Sequence, residues 1–209
     1  MAILINYYSL GEFMKPIAIV ATVFIGLISL PVTAEEETKK YSVILKTGSY
    51  SLSQGTQTVS SYSTKFNKSA SGVFAGEFTW GSSDDIRFGG EIFLHNNDYT
   101  SVGFKGEAST TVVMFNARKY FLEDDFRPFI GGGVGAASSD FSGRFVGSAG
   151  GLALQVMFGA EYKLSNSVSL YAEYKNILLA DVDAETTTGG TAEFDLSGDG
   201  LFAGAAIYF

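Results

Sequence analysis

The chain has a single histidine, His95, and polar side chains follow it directly at Asn96, Asn97 and Asp98. An imidazole beside a serine and an acid can activate the hydroxyl as a nucleophile. No His-x-Ser spacing follows His95, and the chain has no cysteine to act as a thiol nucleophile. The sequence therefore predicts a polar residue at the outer membrane interface, at the extracellular end of the third strand, with no catalytic residue and no enzyme.

Two further patterns resemble ligand sites only superficially. Carboxylates are frequent near the end of the chain, and oxygen ligands suit Ca²⁺ or Mg²⁺, but their spacing matches no EF-hand-like loop. These residues are Asp181, Asp183, Glu185, Glu193, Asp195 and Asp199. The glycine run from Gly131 to Gly135 lacks the lysine and the helix of a phosphate-binding loop. We therefore predict no metal, no cofactor, a hydrated acidic loop and close strand packing at the glycines.

A third set of charges lies at alternate positions inside otherwise apolar segments. Four are basic and four are acidic, so the set is balanced although the whole chain carries a net charge of -8. Because a buried charge without a partner is costly, we expect these side chains to pair with each other in one interior network. The set consists of Lys46, Glu77, Arg87, Glu91, Arg118, Glu161, Glu173 and Lys175.

Eight segments of about ten residues with period-two alternation would position these charges. They span 41–49, 72–81, 86–95, 110–121, 127–137, 152–163, 167–177 and 200–209. Longer links near 50–71, 96–109, 138–151 and 178–199 alternate with short turns. An even number of strands closes antiparallel, so the pattern predicts an all-β, eight-stranded up-and-down transmembrane β-barrel.

The face opposite the charges is apolar in all eight segments, which is the inverse of a soluble lipocalin-like barrel. Outer-membrane barrels have short turns on the periplasmic side, so both termini are expected in the periplasm. A girdle of aromatic residues is expected at that interface, and five aromatic residues fall at the matching strand ends. They are Tyr41, Trp80, Phe121, Tyr162 and Phe209.

Residues 1–34 have the order of a secretory signal. Lys15 precedes an apolar run from Ile17 to Leu30, and small residues lead to Ala34, after which we expect cleavage. At about 14 residues the run is shorter than the roughly 20 that a membrane-spanning helix needs. Met14 is an alternative initiator. Residues 35–209 then form the barrel domain.

Composition limits the remaining classes. With 17% charged residues, 18 phenylalanines and 11 tyrosines, the chain has enough apolar surface to fold as one ordered domain. Its acidic balance argues against a nucleic-acid partner, because phosphate binding requires clustered Lys and Arg.

Several motifs resemble those of the small outer-membrane β-barrel family that includes the OmpA transmembrane domain and the opacity-type surface antigens. They are residues 116–121 (NARKYF), 127–135 (RPFIGGGVG), 159–162 (GAEY), 171–175 (YAEYK) and 206–209 (AIYF). The resemblance implies a cell-surface protein of a Gram-negative envelope, embedded among outer-membrane lipids and lipopolysaccharide. It also implies delivery to the barrel-assembly machinery through the last strand, which ends at Phe209.

Three functions are compatible with such a barrel. We favour a monomeric structural or surface-interaction anchor, with a closed, ion-paired interior and loops that meet an unknown extracellular ligand. The alternative is a narrow, porin-like channel for small or apolar solutes, which would need the interior charges to separate. A lipid A-modifying enzyme around His95 is the least favoured.

Overall fold

The computed structural model describes residues 41–52, 56–59, 62–65, 67–68, 71–81, 85–101, 104–122, 124–142, 145–180, 182–186, 191–194 and 197–209. They form strands β1 (Tyr41–Leu52), β2 (Thr56–Val59), β3 (Tyr62–Lys65), β4 (Asn67–Lys68), β5 (Ser71–Gly81), β6 (Ile86–Ser101), β7 (Phe104–Tyr120), β8 (Phe126–Ser142), β9 (Phe145–Lys163), β10 (Val168–Leu179), β11 (Val182–Thr186), β12 (Thr191–Phe194) and β13 (Gly198–Tyr208). Within these ranges no helix is long and apolar enough to cross a membrane.

Eight of the strands close into an antiparallel barrel. Their order around the ring is β1, β5, β6, β7, β8, β9, β10 and β13. Strand β13 returns to β1 with the register running from Ser42↔Tyr208 to Leu52↔Gly198, so the ring has no open edge. The predicted eight-stranded antiparallel barrel is confirmed.

The other strands extend the sheet beyond one end of the ring. Strand β11 pairs with the start of β9, β12 pairs with β11, β2 with β12, and β3 with β2. Strand β4 pairs with the far end of β6. We call this end of the barrel the extension end. The opposite, short-turn end carries Tyr41, Phe209 and the brief links between β5 and β6, β7 and β8, and β9 and β10.

All four predicted longer links are wrong over most of their length. The link near 50–71 contains β2, β3 and β4, and the link near 178–199, predicted as a hydrated acidic loop, contains β11 and β12. Residues 96–109 are mainly strand, because β6 continues to Ser101 and β7 begins at Phe104. Residues 138–151 are mainly strand as well, because β8 ends at Ser142 and β9 begins at Phe145. The alternation of apolar and polar residues disappears there because the outward positions, such as Asp98 and Asp140, are polar. The backbone pairing between strands nevertheless continues through these residues.

Side chains alternate strictly between the two faces of the barrel wall. Strand β10 shows the pattern clearly, with alternate positions buried. The outward face carries a broad band of exposed apolar side chains, far larger than a soluble monomer leaves in water. This band includes Phe74, Val113, Phe115, Ile130, Val134, Leu154, Val156, Phe158, Leu170, Leu201 and Ile207, each at least 45% exposed. Val43 has the same parity but is only 5% exposed. The predicted signal segment, residues 1–34, lies outside the described residues.

Candidate functional site

The middle of the barrel interior holds six charged side chains, each at most 2% exposed. We call them the ion cluster: Lys46, Glu77, Glu91, Arg118, Glu173 and Lys175. They come from β1, β5, β6, β7 and β10 because each sits at an inward position of its strand. Three are cations and three are carboxylates, so the cluster is electrically balanced.

Lys46 is in contact with all three carboxylates of the cluster. Its Nζ lies 2.8 Å from Glu77 Oε2, 2.7 Å from Glu91 Oε1 and 2.7 Å from Glu173 Oε1. A lysine ammonium has three hydrogens to donate. Two of these contacts, to Glu77 and Glu173, are hydrogen bonds, so the ammonium is held by carboxylates from three different strands.

The other two cations complete the network. Arg118 donates both terminal nitrogens to the two oxygens of Glu77, and its Nη2 lies 3.4 Å from Glu173 Oε2. Lys175 Nζ pairs with Glu91 and lies 3.0 Å from Glu173 Oε1. Two-pronged Arg–carboxylate pairs fix geometry as well as charge. The cluster is thus fully cross-linked rather than a set of separate pairs.

Two amide side chains, one on β7 and one on β9, extend the cluster to a sixth strand. Asn116 Nδ2 donates to Glu91 Oε2 at 2.9 Å and to Glu77 Oε1 at 3.2 Å. Gln155 Nε2 donates to Asn116 Oδ1 at 2.5 Å. Among the described residues, six of the eight barrel strands supply a polar side chain to the cluster. The two exceptions are β8 and β13, and β8 contributes glycines there.

These inward glycines of β8 leave space for the cluster. A Cβ added at Gly133 would lie 2.9 Å from Phe115 O and 3.1 Å from Gln155 Nε2. A Cβ at Gly131 would lie 3.0 Å from Arg118 Cγ. The glycine-rich strand therefore lets the long charged side chains meet on the barrel axis, since any side chain there would occupy the same volume.

Arg87 and Glu161, which the sequence grouped with the same network, lie closer to the short-turn end in other contacts. The Arg87 guanidinium stands 4.6 Å from the ring centre of Tyr208. Glu161 Oε1 accepts a hydrogen bond from the Tyr208 hydroxyl at 2.5 Å. Neither has an ion-pair partner among the described residues. Both belong to an aromatic layer formed by Tyr120, Phe129, Tyr171 and Tyr208, buried below the ion cluster.

A second apolar layer fills the interior between the ion cluster and the extension end. Tyr50, Phe93, Val112, Ile177 and Phe202 are its core, each at most 3% exposed. The charge pattern alone missed this layer. The sequence does contain an indication of this layer, because Phe93 occupies an inward-facing position between Glu91 and His95.

His95 lies beyond this apolar layer toward the extension end, on the inward face of β6. It is 3% exposed, and its Nδ1 is 2.6 Å from Asn97 Nδ2. Its ring lies 4.7 Å from that of Tyr50 and stacks on Phe93 at 5.5 Å. Asp98 points to the opposite, exposed face. No serine hydroxyl or carboxylate contacts His95 within the described residues.

The predicted girdle residues lie at the short-turn end on the outward face. Tyr41 stacks on Phe209 with ring centres 6.4 Å apart and on Phe78 at 6.0 Å. Trp80 lies against Phe78 and Phe115. Phe121 and Tyr162 are 61% and 49% exposed. Four aromatic rings are thus in continuous contact, from Phe209, which follows β13, through Tyr41 on β1 to Phe78 and Trp80 on β5.

Comparisons with known proteins agree on the architecture. A family model described as "Outer membrane protein beta-barrel domain" matches residues 20–199. No curated protein matches the chain. Eight similar solved structures each share under 20% identity with this chain, so they support the fold alone.

Three of these structures are outer-membrane proteins. Neisserial surface protein A (NspA) has a TM-score of 0.54 and 18% identity, covering 81% of this chain and 97% of that one. OprG from Pseudomonas aeruginosa has a TM-score of 0.55 and 13% identity, covering 84% and 99%. The outer membrane protease OmpT from Escherichia coli has a TM-score of 0.50 and 10% identity, covering 85% and 99%.

Proposed function

Because this chain belongs to the outer membrane protein β-barrel domain family, we propose that it is a membrane anchor with a closed interior whose extension end meets partners outside the cell. The outer membrane is its location. The single observation that carries the proposal is the ion cluster, in which three cations and three carboxylates meet across the barrel axis.

Closure follows from the stacking of three filled layers. An eight-stranded barrel is just wide enough for side chains to fill it. The aromatic layer, the ion cluster and the apolar layer succeed one another along the axis. Opening a path for ions would separate buried charge pairs, and an unpartnered buried charge costs several kcal/mol. A closed resting state is therefore favoured.

The orientation proposed is the one typical of the family, with the short-turn end in the periplasm. Tyr41, Trp80, Phe121, Tyr162 and Phe209 then lie at the periplasmic interface, where aromatic rings anchor a barrel. Phe209 directly follows β13 at that end, and we propose that this last strand is recognised by the barrel-assembly machinery. The extension end would stand among lipopolysaccharide and carry the surface-exposed connections.

Conductance measurements test the closed interior. We would purify the processed protein from outer membranes, verify the folded barrel by its heat-modifiable gel migration, and record currents in planar lipid bilayers. No steady single-channel conductance is expected. A variant in which Lys46, Glu77 and Arg118 are all replaced by alanine removes half of the cluster and is expected to conduct. Glu107→Ala, at an exposed position, serves as the matched control.

Steady conductance of the wild-type protein at the level of the triple variant would reject the closed anchor. The porin-like channel for small or apolar solutes would then replace it. A lipid A-modifying activity has less support, because the contacts of His95 lack the serine and acid that a nucleophile system needs.

A further inference from the structure

One ion pair lies on the outside of the barrel wall, at the short-turn end. Lys119 Nζ, near the end of β7, lies 2.5 Å from Asp85 Oδ2, in the residue just before β6. Their side chains are 47% and 46% exposed, in contrast to the buried charges of the ion cluster. Neither side chain has another polar contact among the described residues. Both charged groups therefore face whatever surrounds the barrel.

The surroundings of this ion pair on the wall are apolar. Lys119 is paired in register with Ile86 on β6 and Ile130 on β8, which are 38% and 55% exposed. Phe121, two residues further along the same face, is 61% exposed. An ion pair beside hydrocarbon has little water to solvate it, so additional charge-assisted hydrogen bonds there are stronger than in bulk water. The other outward-facing charges described on the barrel strands lie near the extension end, at Asp98, Glu107, Asp140 and Asp199.

The two charges have hydrogen-bonding capacity that their mutual contact leaves unused. A lysine ammonium has three hydrogens to donate, and an ionised carboxylate accepts at both oxygens. Lys119 can therefore donate to a phosphate while Asp85 accepts from an ammonium. A long lysine side chain near a strand end reaches the level of the lipid headgroups. A single headgroup with a phosphate and a primary ammonium would satisfy both residues and keep the site electrically balanced.

The same ion pair discriminates against other headgroups. A phosphocholine group carries the same two charges, but its quaternary nitrogen has no N–H to donate to Asp85. A phosphoglycerol group has no cation, and its negative charge would approach the Asp85 carboxylate, which is repulsive. A site that contains both signs of charge therefore selects by an unsatisfied acceptor in the first case and by repulsion in the second.

We propose that Lys119 and Asp85 form a binding site for phosphatidylethanolamine from the surrounding bilayer. The lipid phosphate accepts from Lys119 Nζ, the lipid ammonium donates to the Asp85 carboxylate, and the acyl chains lie on the wall beside Ile86 and Ile130. This site gives the barrel a lipid preference, which goes beyond the proposed anchor function. Only the choice of leaflet rests on that function, because a periplasmic short-turn end places the lipid in the periplasmic leaflet.

Native mass spectrometry measures the headgroup preference directly. The processed protein, purified from outer membranes and freed of lipid in detergent, would be titrated with dioleoyl lipids that differ only in their headgroups. The probes are phosphatidylethanolamine, its N-methyl and N,N-dimethyl derivatives, phosphatidylcholine and phosphatidylglycerol. Phosphatidylethanolamine is expected to bind roughly tenfold more tightly than phosphatidylcholine, the effect of one lost charge-assisted hydrogen bond. The largest drop is expected at the third methyl group, which removes the last N–H. Equal affinity for phosphatidylethanolamine and phosphatidylcholine would overturn the proposal.

Variants assign the preference to the two residues. Lys119→Met removes the cation and is expected to weaken phosphatidylethanolamine binding roughly tenfold. Asp85→Asn removes the negative charge, so phosphatidylglycerol is expected to bind this variant at least as tightly as phosphatidylethanolamine. Lys163→Met removes a lysine charge at the same end of the barrel, and Asp140→Asn removes an outward carboxylate at the other end. Both controls are expected to keep the wild-type preference.

Unchanged phosphatidylethanolamine binding by Lys119→Met, or an unchanged headgroup preference in Asp85→Asn, would contradict the proposal. Heat-modifiable gel migration verifies that each variant is folded. Should a variant fail to fold, the series of methylated lipids on wild-type protein decides the question alone. Lipid binding in detergent depends neither on a closed interior nor on the orientation in the membrane. A negative result would therefore leave the proposed function intact, and conductance of the wild-type barrel would leave the lipid site intact.

Discussion

Arg118 on β7 and Glu77 on β5 bind each other through two parallel hydrogen bonds, although β6 lies between their strands. The second of these bonds, from Nη2 to Oε2, is 2.7 Å long. Glu77 also accepts from Lys46 at 2.8 Å. One carboxylate therefore compensates two buried cations, which come from strands on either side of it in the ring.

Replacing Glu77 by alanine is expected to lower the free energy of unfolding by about 3–5 kcal/mol, because Lys46 and Arg118 each lose one carboxylate partner while they stay buried. Urea unfolding in lipid vesicles, followed by tryptophan fluorescence, measures the change. Glu107→Ala is the control and is expected to change stability by about 0.5 kcal/mol at most, since Glu107 is exposed. A loss below about 1 kcal/mol for Glu77→Ala would show that the cluster is hydrated and weakly coupled.

Gly133→Ala and Gly132→Ala form a matched pair on adjacent residues of β8. The Cβ of the first points inward and would lie 2.9 Å from Phe115 O, whereas that of the second points outward and has Gln155 O at 3.4 Å. Gly133→Ala is expected to destabilise the barrel by about 1–3 kcal/mol through overpacking. Gly132→Ala is expected to be neutral or slightly stabilising. Equal urea midpoints for the two variants would contradict this assignment of faces.

The orientation in the membrane is testable with single cysteines, because the natural chain has none. Ser142→Cys places a thiol at the extension end, and Asn166→Cys places one in the short turn after β9; both positions are exposed. A membrane-impermeant maleimide added to intact cells is expected to label the first variant and not the second. Both are expected to react after the cells are broken open. The reverse labelling of intact cells would invert the proposed topology.

Signal processing is predicted to leave Glu35 as the first residue of the mature protein. N-terminal sequencing of protein from the outer membrane checks this directly. Ala34→Phe is expected to block cleavage, because the position before the cut accepts only small residues. Thr33→Phe, one position earlier, is expected to be processed normally. A mature start elsewhere than Glu35 would move the boundary of the barrel domain.

The sequence alone was sufficient for the eight strands because the membrane imposes a strict rule on their outer faces. Every outward position within the apolar band has to be apolar, so period two persists through residues such as Ile130 and Val134 and gives the strand register. Beyond that band the rule no longer applies. Residues 96–101 continue β6 with polar outward side chains, and the hydropathy pattern could not show this.

The interior was predictable in kind but not in detail. Inward-facing positions identified Lys46, Glu77 and Glu91, and both carboxylates do contact Lys46. Parity gives the face of a residue and not its height along the barrel axis, which depends on the stagger between strands. For this reason Glu161 meets Tyr208 and not the cluster. The surroundings of His95 also depend on its position along the barrel axis. The pairing register between strands places the ring of Tyr50 beside it, and parity alone could not show this.

The span of the ion cluster along the chain has a kinetic consequence. Lys46 on the first strand binds Glu173, which is 127 residues later on the next-to-last strand of the ring. Its charges therefore stay incompletely paired until the chain ends have come together. A partly assembled sheet must keep these side chains in water, because dry and unpartnered charges are too costly. Expulsion of water from the interior and the joining of the first strand to the last should thus occur in one cooperative, late and slow step of folding.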